Sequence, residues 1–366
     1  MILFELLKVG IGLLKPEIIE TSDFVGLSQK DWNSLRQMSD KQGVSAIVFD
    51  GLSQLVNSHG RTSICPNIDY GWWQQFILEW IGITEKTEQR NLQQLKVMED
   101  LADKWTSGGC RVMVFKGQAN AIMYPKAFYR SPGDIDCYLF ENYAYGNEIA
   151  RKEGAYVDEG WYKHSQIQYK SETFENHRFF VHTRDGKRGK RLEAELEEAL
   201  KDSHSAFQSL SKNVIISPPQ WTAMFLTYHA CAHFVSEGLR LKQVLDWAMF
   251  LQKYQGEIDW DKYNAFCERN HLKKFADAIT ELCANYLGVK ILFDNIGMHS
   301  SYTEKIIKDI LYSDDYVYSS GVGVWMCRWL VVKNLFKYRW KYEEIYEESI
   351  WVQLWYYIKG CLFHTE

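Results

Sequence analysis

Residues 111–140, RVMVFKGQANAIMYPKAFYRSPGDIDCYLF, determine how this sequence is expected to fold. The run at 111–115 is rich in β-branched and aromatic residues, and such a run predicts a short strand. Gly117 follows, and residues 118–124 predict a short helix. After an irregular loop, residues 135–140 return to strand character. This order of strand, glycine, short helix and strand indicates a small sheet in the middle of the chain.

The sequence on both sides of this segment predicts helices. Before residue 108, apolar residues recur at three- and four-residue steps along one helix face: Leu92, Leu95, Met98, Leu101, Ala102 and Trp105. Two further strands are predicted at Ile167–Tyr169 and Phe174–Val181. From residue 218 onward, periodicity predicts helices near 220–236, 239–254, 260–270, 272–287, 302–312 and 322–358.

The predicted fold class is therefore α+β, with a small mixed sheet as the core and helices flanking it. We expect an N-terminal helical region over residues 1–107 and the α+β core over 108–215. A C-terminal α-helical domain is expected over 216–366. A chain of 366 residues is long enough to bury a core across such units.

The glycine between the first strand and the short helix is typical of a phosphate site. Backbone N–H groups at a helix N-terminus can meet phosphate oxygens, and the helix dipole favours negative charge there. Lys116 and Arg130 would add positive charge beside Gly117. Gln118 adds an amide donor at the start of the same helix.

Two carboxylates follow in a pattern that favours a hard cation. Asp134 and Asp136 are two residues apart at the start of a predicted strand, so both point to the same side while Ile135 faces the core. Mg²⁺ takes oxygen ligands and usually binds through one or two carboxylates plus substrate phosphates. The expected cofactor is therefore Mg²⁺, or Mn²⁺ in its place.

A second pair with the same spacing occurs at Asp259 and Asp261. There we expect a helix cap and a first-turn acid, which stabilise a helix start and have no catalytic role.

The stretch from Val112 to Leu139 resembles the uncharacterised nucleotidyltransferase family of the DNA-polymerase-β-like superfamily, with its Lys-Gly, Tyr-Pro, Arg and Gly-Asp-Ile-Asp elements. The resemblance implies that Asp134 and Asp136 bind metal and that a third carboxylate on a neighbouring strand completes the site. Glu175, two residues before His177, matches that position as metal ligand and proton acceptor. Glu193 and Glu195 are rivals, but their surroundings predict a solvated helix.

One position departs from the superfamily pattern. Members usually have Ser after the glycine, where it touches the terminal phosphate, whereas this chain has Gln118. Either transfer activity persists with this residue, or the chain is an inactive module of the same fold that binds a nucleotide or a partner.

In the helical region, the resemblance extends to HACAH at 229–233 and to Arg240 and Asp246. We expect His229 and Arg240 to face the triphosphate or the acceptor. His229 and His233 are four residues apart on one helix face, but the sequence lacks the Glu after the first His that a metalloprotease helix requires. Two histidines that face the core or the nucleotide cleft are therefore favoured over a second metal site, and the roles of His233 and Asp246 are left open.

Composition and charge argue against several partners. A net charge of −5 gives no global attraction to nucleic acid or to an anionic membrane. The basic run at 183–191 predicts a solvated turn, because aromatic residues do not interleave it. The aromatic and basic residues near Trp329, Trp340 and Trp355 predict a packing helix, with a membrane-surface helix as the alternative.

The expected location is cytoplasmic. The eight cysteines have neither a CxxC pair nor disulfide-framework spacing, which favours a reducing compartment. Glu5 and Lys8 interrupt the apolar N-terminus, so it predicts an amphipathic helix in place of a signal peptide.

Together with these patterns, the resemblance implies an enzyme that moves a nucleoside monophosphate from an NTP to a hydroxyl acceptor. The acceptor would be a small molecule or a protein side chain.

Overall fold

A computed structural model describes residues 2–182, 186–202, 206–294, 300–312 and 324–363. The N-terminal helices are α1 Ile2–Gly10, α2 Ser22–Val25, α3 Gln29–Lys41, α4 Ser45–His59, α5 Arg61–Ile64 and α6 Tyr70–Ser107. Helices α1 and α4 cross closely because each has a glycine at the contact. A Cβ on Gly51 would come within 2.0 Å of the backbone oxygen of Leu6, and one on Gly10 within 2.1 Å of that of Ile47.

The middle of the chain forms one mixed sheet. Its strands are β1 Val112–Val114, β2 Ile135–Tyr138, β3 Tyr156–Asp158, β4 His164–Tyr169, β5 Glu172–His177, β6 Gln208–Ser209 and β7 Val214–Ile216. Their spatial order is β3-β4-β5-β2-β1-β7-β6, with β2/β5 and β1/β7 parallel and the other pairs antiparallel. Three helices lie between the strands: α7 Gly117–Ala121, α8 Tyr143–Lys152 and α9 Gly186–Asp202.

The C-terminal part is helical. Its helices are α10 Pro219–Ser236, α11 Leu241–Tyr254, α12 Trp260–Arg269, α13 Lys273–Leu287, α14 Ser300–Tyr312, α15 Val324–Lys337 and α16 Ile350–Phe363. The predicted α+β class, with a mixed sheet flanked by helices on both sides in sequence, is confirmed.

The two faces of the sheet pack against different helices. One face buries Val114, Ile135 and Phe174 under α6 and α8, where Trp105 stacks edge-on against Phe174. Ile135 therefore faces the core, as its alternation with the two aspartates predicts. On the other face, Phe115 packs against an aromatic cluster whose further members are Phe180, Trp221 and Phe225.

The single helix predicted at 322–358 is wrong. Between α15 and α16 lie a π-helix over Lys341–Ile345 and a non-helical stretch at 346–349, in which Glu347 has a φ of 52°. The side chain of Lys341 is fully buried and its Nζ lies 2.5 Å from Asp309 Oδ2, and Ile345 is buried as well. These contacts hold the segment against the core.

The aromatic residues of this region divide into two groups. Trp340 packs edge-on against Phe234, so the packing interpretation holds for it. Trp329, Trp351 and Trp355 are exposed, which corrects that interpretation for the outer face of α15 and α16. Among the described residues, none of the helices combines the length and apolarity needed to cross a bilayer.

A buried ion pair ties the helical part to the loop before β2. Both oxygens of Asp246 on α11 accept from the guanidinium of Arg130, at 2.7 Å each. Asn120 and Tyr124 also donate to this carboxylate, at 2.9 and 2.7 Å. Asp246, whose role the sequence leaves open, is therefore an anchor between the two regions.

We expect Asp246→Ala to lower the free energy of unfolding by about 3–5 kcal/mol, because it leaves the charge of Arg130 buried without its partner. Chemical denaturation measures the change. The control is Asp259→Ala, which removes a surface helix cap worth about 1 kcal/mol. Equal losses in the two variants would contradict the anchoring role.

Candidate active site

Three carboxylates converge at the middle of the sheet, on the neighbouring strands β2 and β5. Asp136 on β2 pairs in register with Glu175 on the parallel strand β5, so the two side chains lie side by side on one face. Asp134 immediately precedes β2 and is exposed. Partial desolvation by the surrounding loop raises the pKa of Asp134, and the negative charges of Glu175 and Asp136 raise it further. The three groups are therefore close enough to act on one another.

Lys116 contacts this cluster from the start of α7. Its Nζ forms an ion pair with Asp136 Oδ1, and its backbone has a φ of 61°, in the left-handed region that disfavours side chains with a Cβ. Strain of this kind often marks functional sites. Burial opposes the charged form of Asp136, but Lys116 and His177 hold the pKa of Asp136 well below its usual range.

Helix α6 fixes the loop that presents Asp134. Asn91 donates to the backbone oxygen of Arg130 at 2.9 Å, and Gln94 donates to that of Gly133 at 2.6 Å. Gln118 donates to the side-chain oxygens of both Asn91 and Gln94, each at 2.9 Å. Both N–H groups of the Gln118 amide are thus used inside the protein.

Two residues of the predicted phosphate site therefore have structural partners. The Gln118 amide bonds to α6, and the guanidinium of Arg130 bonds to Asp246. Their burial and hydrogen bonds favour a supporting role, in which they shape the cradle around Gly117. Lys116 and Gly117 remain beside the carboxylates, with Gly117 Cα facing the backbone oxygen of Asp134.

Two histidines complete the acidic cluster. His177 is fully buried, and its Nε2 lies 3.0 Å from Asp136 Oδ1 and 3.4 Å from Glu175 Oε2. His164, opposite His177 on β4, has its Nδ1 3.6 Å from the same Glu175 oxygen. Burial, and next the nearby His177, lower the pKa of His164 to about 4, so its imidazole is neutral at pH 7.

Glu175 is held as a carboxylate. Burial would raise its pKa, but the hydrogen bond from His177 and the charge of Lys116 act against burial and Asp136, and the pKa of Glu175 is lowered. An ionised carboxylate is an acceptor and a metal ligand.

Lys163 is a site residue that the sequence analysis missed. It precedes β4, is only partly exposed, and lies near Lys116, Asp136 and Glu175. Burial, reinforced by Lys116, lowers its pKa to about 8. Among the described residues, none forms an ion pair with its ammonium. Residue spacing could not have identified it, because Lys163 reaches the cluster only through the antiparallel pairing of β4 with β5.

The two residues predicted in the helical part lie in different settings. His229 on α10 stacks on Phe225 and meets His233 edge-on at 4.4 Å. Burial lowers the pKa of His229 well below its usual value, and the charge of Lys116 lowers it further, so this histidine faces the cationic side of the cluster. Arg240 is exposed before α11, where its backbone N–H donates to Gln243.

The rival acids bond elsewhere. Glu193 on α9 is buried and accepts backbone hydrogen bonds from Phe180 at 3.0 Å and Val181 at 2.7 Å, so the expected solvated setting is wrong for it. Burial raises the pKa of Glu193 to about 7. Glu195 on the same helix pairs with Arg269 at 2.9 Å.

The second aspartate pair behaves as a helix start. Asp259 Oδ1 accepts from the backbone N–H of Lys262 at 2.9 Å, and Asp261 lies in the first turn of α12.

The predicted turn in the basic run is a helix where the structure describes it, although Lys187, Lys190 and Arg191 are exposed as predicted. Residues 183–185 lie outside the described residues, and the rest begins α9. Arg188 packs over the Tyr346 ring at 3.6 Å and donates to the backbone oxygen of Asn270 at 2.5 Å. These intramolecular contacts occupy a side chain that a nucleic-acid surface would need.

Comparison with known proteins gives one match. The sequence model of a family described as uncharacterised nucleotidyltransferase matches residues 28–288. The matched range includes the three carboxylates, the Lys116 turn, His229 and Asp246. No curated protein matches the chain. No solved structure matches it either.

The low pKa of His164 predicts a pH-dependent stability. A base whose pKa is lower in the folded state binds fewer protons when folded, so stability falls as the pH falls from 6.5 to about 4. The full shift corresponds to about 3 kcal/mol, which partial solvent access reduces to about 1–2 kcal/mol. In EDTA, wild type should lose this much more stability over that interval than His164→Gln, measured by urea denaturation. Identical pH profiles would count against a neutral buried His164.

Proposed function

Because the chain belongs to this family of nucleotidyltransferases, we propose that it transfers a nucleoside monophosphate from an NTP to a hydroxyl acceptor. The observation that carries the proposal is the convergence of Asp134, Asp136 and Glu175 beside a lysine-glycine turn. The acceptor is a small hydroxylated molecule or a protein side chain. We further propose that residues 108–215 form the catalytic unit, between a helical region over 1–107 and a helical domain over 216–366.

The donor set fits the proposed cofactor. Three carboxylates offer the oxygen ligands that Mg²⁺, or Mn²⁺ in its place, requires. Asp134, Asp136 and Glu175 would hold the ion, with Lys116 released from Asp136 to meet phosphate. When bound, such an ion supplies positive charge that offsets the charge developing on the phosphates.

The residues of the chain have distinct roles in the proposed step. The acceptor oxygen forms a bond to the α-phosphorus, the bond from that phosphorus to pyrophosphate breaks, and the acceptor proton passes to Glu175. The lowered pKa of Glu175 supports this role, because the group is unprotonated at neutral pH. In this proposal, Lys116, the backbone of Gly117 and Lys163 bind the triphosphate.

We propose that two residues of the C-terminal helical region contribute to the same site. The charges of Lys116 and Lys163 contribute to the lowered pKa of His229, which supports its proposed position beside the triphosphate. The charge of Asp134 acts on Lys242, two residues after Arg240, which supports a position for Arg240 near the acceptor. Gln118 and Arg130 contribute by holding the cradle in place.

A second candidate is an inactive module of the same fold that binds a nucleotide. The internal hydrogen bonds of Gln118 favour it, because the usual hydroxyl that touches the terminal phosphate has no replacement there.

The proposed location is the cytoplasm. The structure describes free, buried thiols that suit a reducing compartment: Cys65, Cys110, Cys137, Cys231, Cys267 and Cys283.

Asp134→Asn should lower transfer at least ~100-fold, because it removes a metal ligand from an exposed position with little effect on the fold. The measurement uses NTPs labelled at the α-phosphate and follows pyrophosphate release and label on the protein itself, on sugars and amino alcohols, and on hydroxyl-bearing proteins. Asp261→Asn, from the second aspartate pair, is the matched control and should retain full activity.

Two outcomes decide between the candidates. Equal turnover in wild type and Asp134→Asn would overturn the proposed site. Saturable NTP binding by wild type, with no labelled product under any condition, would favour the nucleotide-binding module.

A further inference from the structure

A cluster of two imidazoles and one carboxylate lies beside the three acids. His164 on β4 is the register partner of His177 on β5, and Glu175 is two residues from His177 on the same strand face. The potential ligand atoms of the three residues all lie within 4.8 Å of one another. Two of the separations are 3.4 Å, from His177 Nε2 to Glu175 Oε2, and 3.6 Å, from His164 Nδ1 to the same oxygen.

These separations match the edge of a metal coordination polyhedron. Ligands about 2.1 Å from a tetrahedral ion are about 3.4 Å from each other. Two antiparallel strands hold the three side chains, so the arrangement rests on regular backbone pairing.

The hydrogen bond on the far side of His177 leaves Nε2 as the nitrogen that can bind a metal. Nδ1 lies 3.1 Å from the backbone oxygen of Phe179, and a carbonyl oxygen only accepts, so Nδ1 carries a proton. Nε2 faces oxygens of Asp136 and Glu175, which are acceptors, so it donates to them when no metal is bound. A bound cation would take the place of that proton, because a metal needs the deprotonated nitrogen. Histidine ligands of metals commonly have such a carbonyl partner on the other nitrogen.

His164 supplies a second nitrogen aimed at the same place. Its Nδ1 is buried and has no hydrogen-bond partner among the described residues, although Glu175 lies 3.6 Å away. Buried polar atoms without partners are rare in proteins, and an absent ion is one explanation. Bound to a cation, this nitrogen would be satisfied.

The ligand types select the class of ion. Imidazole nitrogens suit first-row transition metals such as Zn²⁺, whereas Mg²⁺ prefers oxygen ligands. Glu175 Oε2 faces the histidines, so its second oxygen can serve the centre formed with Asp134 and Asp136. Carboxylates bridge paired ions in two-metal sites.

We propose that His164, Glu175 and His177 bind a first-row divalent transition metal, next to the oxygen-rich centre of Asp134 and Asp136. The inference extends the proposed function, because Glu175 belongs to both centres. Binding itself needs neither NTP nor turnover, so it is tested separately.

The test titrates EDTA-treated, dialysed full-length protein with Co²⁺ and follows the visible absorption bands that nitrogen ligation intensifies. Wild type should bind Co²⁺, and a ~100-fold excess of Mg²⁺ should not displace it, because Mg²⁺ disfavours imidazole ligands. His164→Gln should weaken Co²⁺ binding at least ~100-fold. Even mutation of a residue that only hydrogen-bonds to a metal ligand typically lowers metal affinity about 10–100-fold. Zn²⁺ should displace Co²⁺ and abolish the bands.

Matched variants keep the outcomes apart. His271→Gln changes a histidine on the surface and should bind as wild type does. Asp134→Asn should keep the Co²⁺ bands while losing transfer. Circular dichroism verifies that each variant is folded, and if His164→Gln is not, His164→Asn takes its place.

Wild type without Co²⁺ bands, or bands that survive in the His164 variant, would overturn the transition-metal site. If the bands depend on His164 but transfer never occurs, the metal site stands and the proposed transferase activity fails.

Discussion

The parallel pairing of β2 with β5 is the constraint on which the site depends. It places Asp136 beside Glu175, although the 38 residues from 137 to 174 separate the two along the chain. The antiparallel pairing of β4 with β5 then adds His164 to the same face. A shift of one residue in either register would turn these side chains toward α6 and α8. The hydrophobic residues that alternate with them hold the register, because Ile135 and Phe174 must be buried on the opposite face.

Around this centre, the structure stabilises the turn at Lys116 and Gly117 from two directions. Helix α6 contributes the amides of Asn91 and Gln94, which bond the loop before β2 and the side chain of Gln118. Helix α11 contributes Asp246, which binds Arg130. Buried polar networks of this kind are rigid when every member has a partner. The turn is therefore held from both helical regions, and the family match covers the residues that hold it.

The site also places opposite charges next to one another. Lys116 pairs with Asp136, and Lys163 and His229 lie nearby with pKa values lowered by burial and by Lys116. An anionic substrate that enters here would meet cationic groups on one side and carboxylates on the other. That separation suits a triphosphate accompanied by a cation. The phosphates would face the lysines, and the cation would face the carboxylates.

By itself the sequence determined the elements with strong local signals. The alternation of Asp134, Ile135 and Asp136 identified a strand with one buried face, the glycine after β1 identified the turn, and the cap at Asp259 was distinguished from the site by its context. Only the tertiary structure decided which side chains meet. Lys163 and His164 enter the site, and Gln118 and Arg130 turn inward, because of strand pairing and helix packing between distant segments. Local periodicity carries no information on such contacts, as it reports which face of an element is buried but not the partner that buries it.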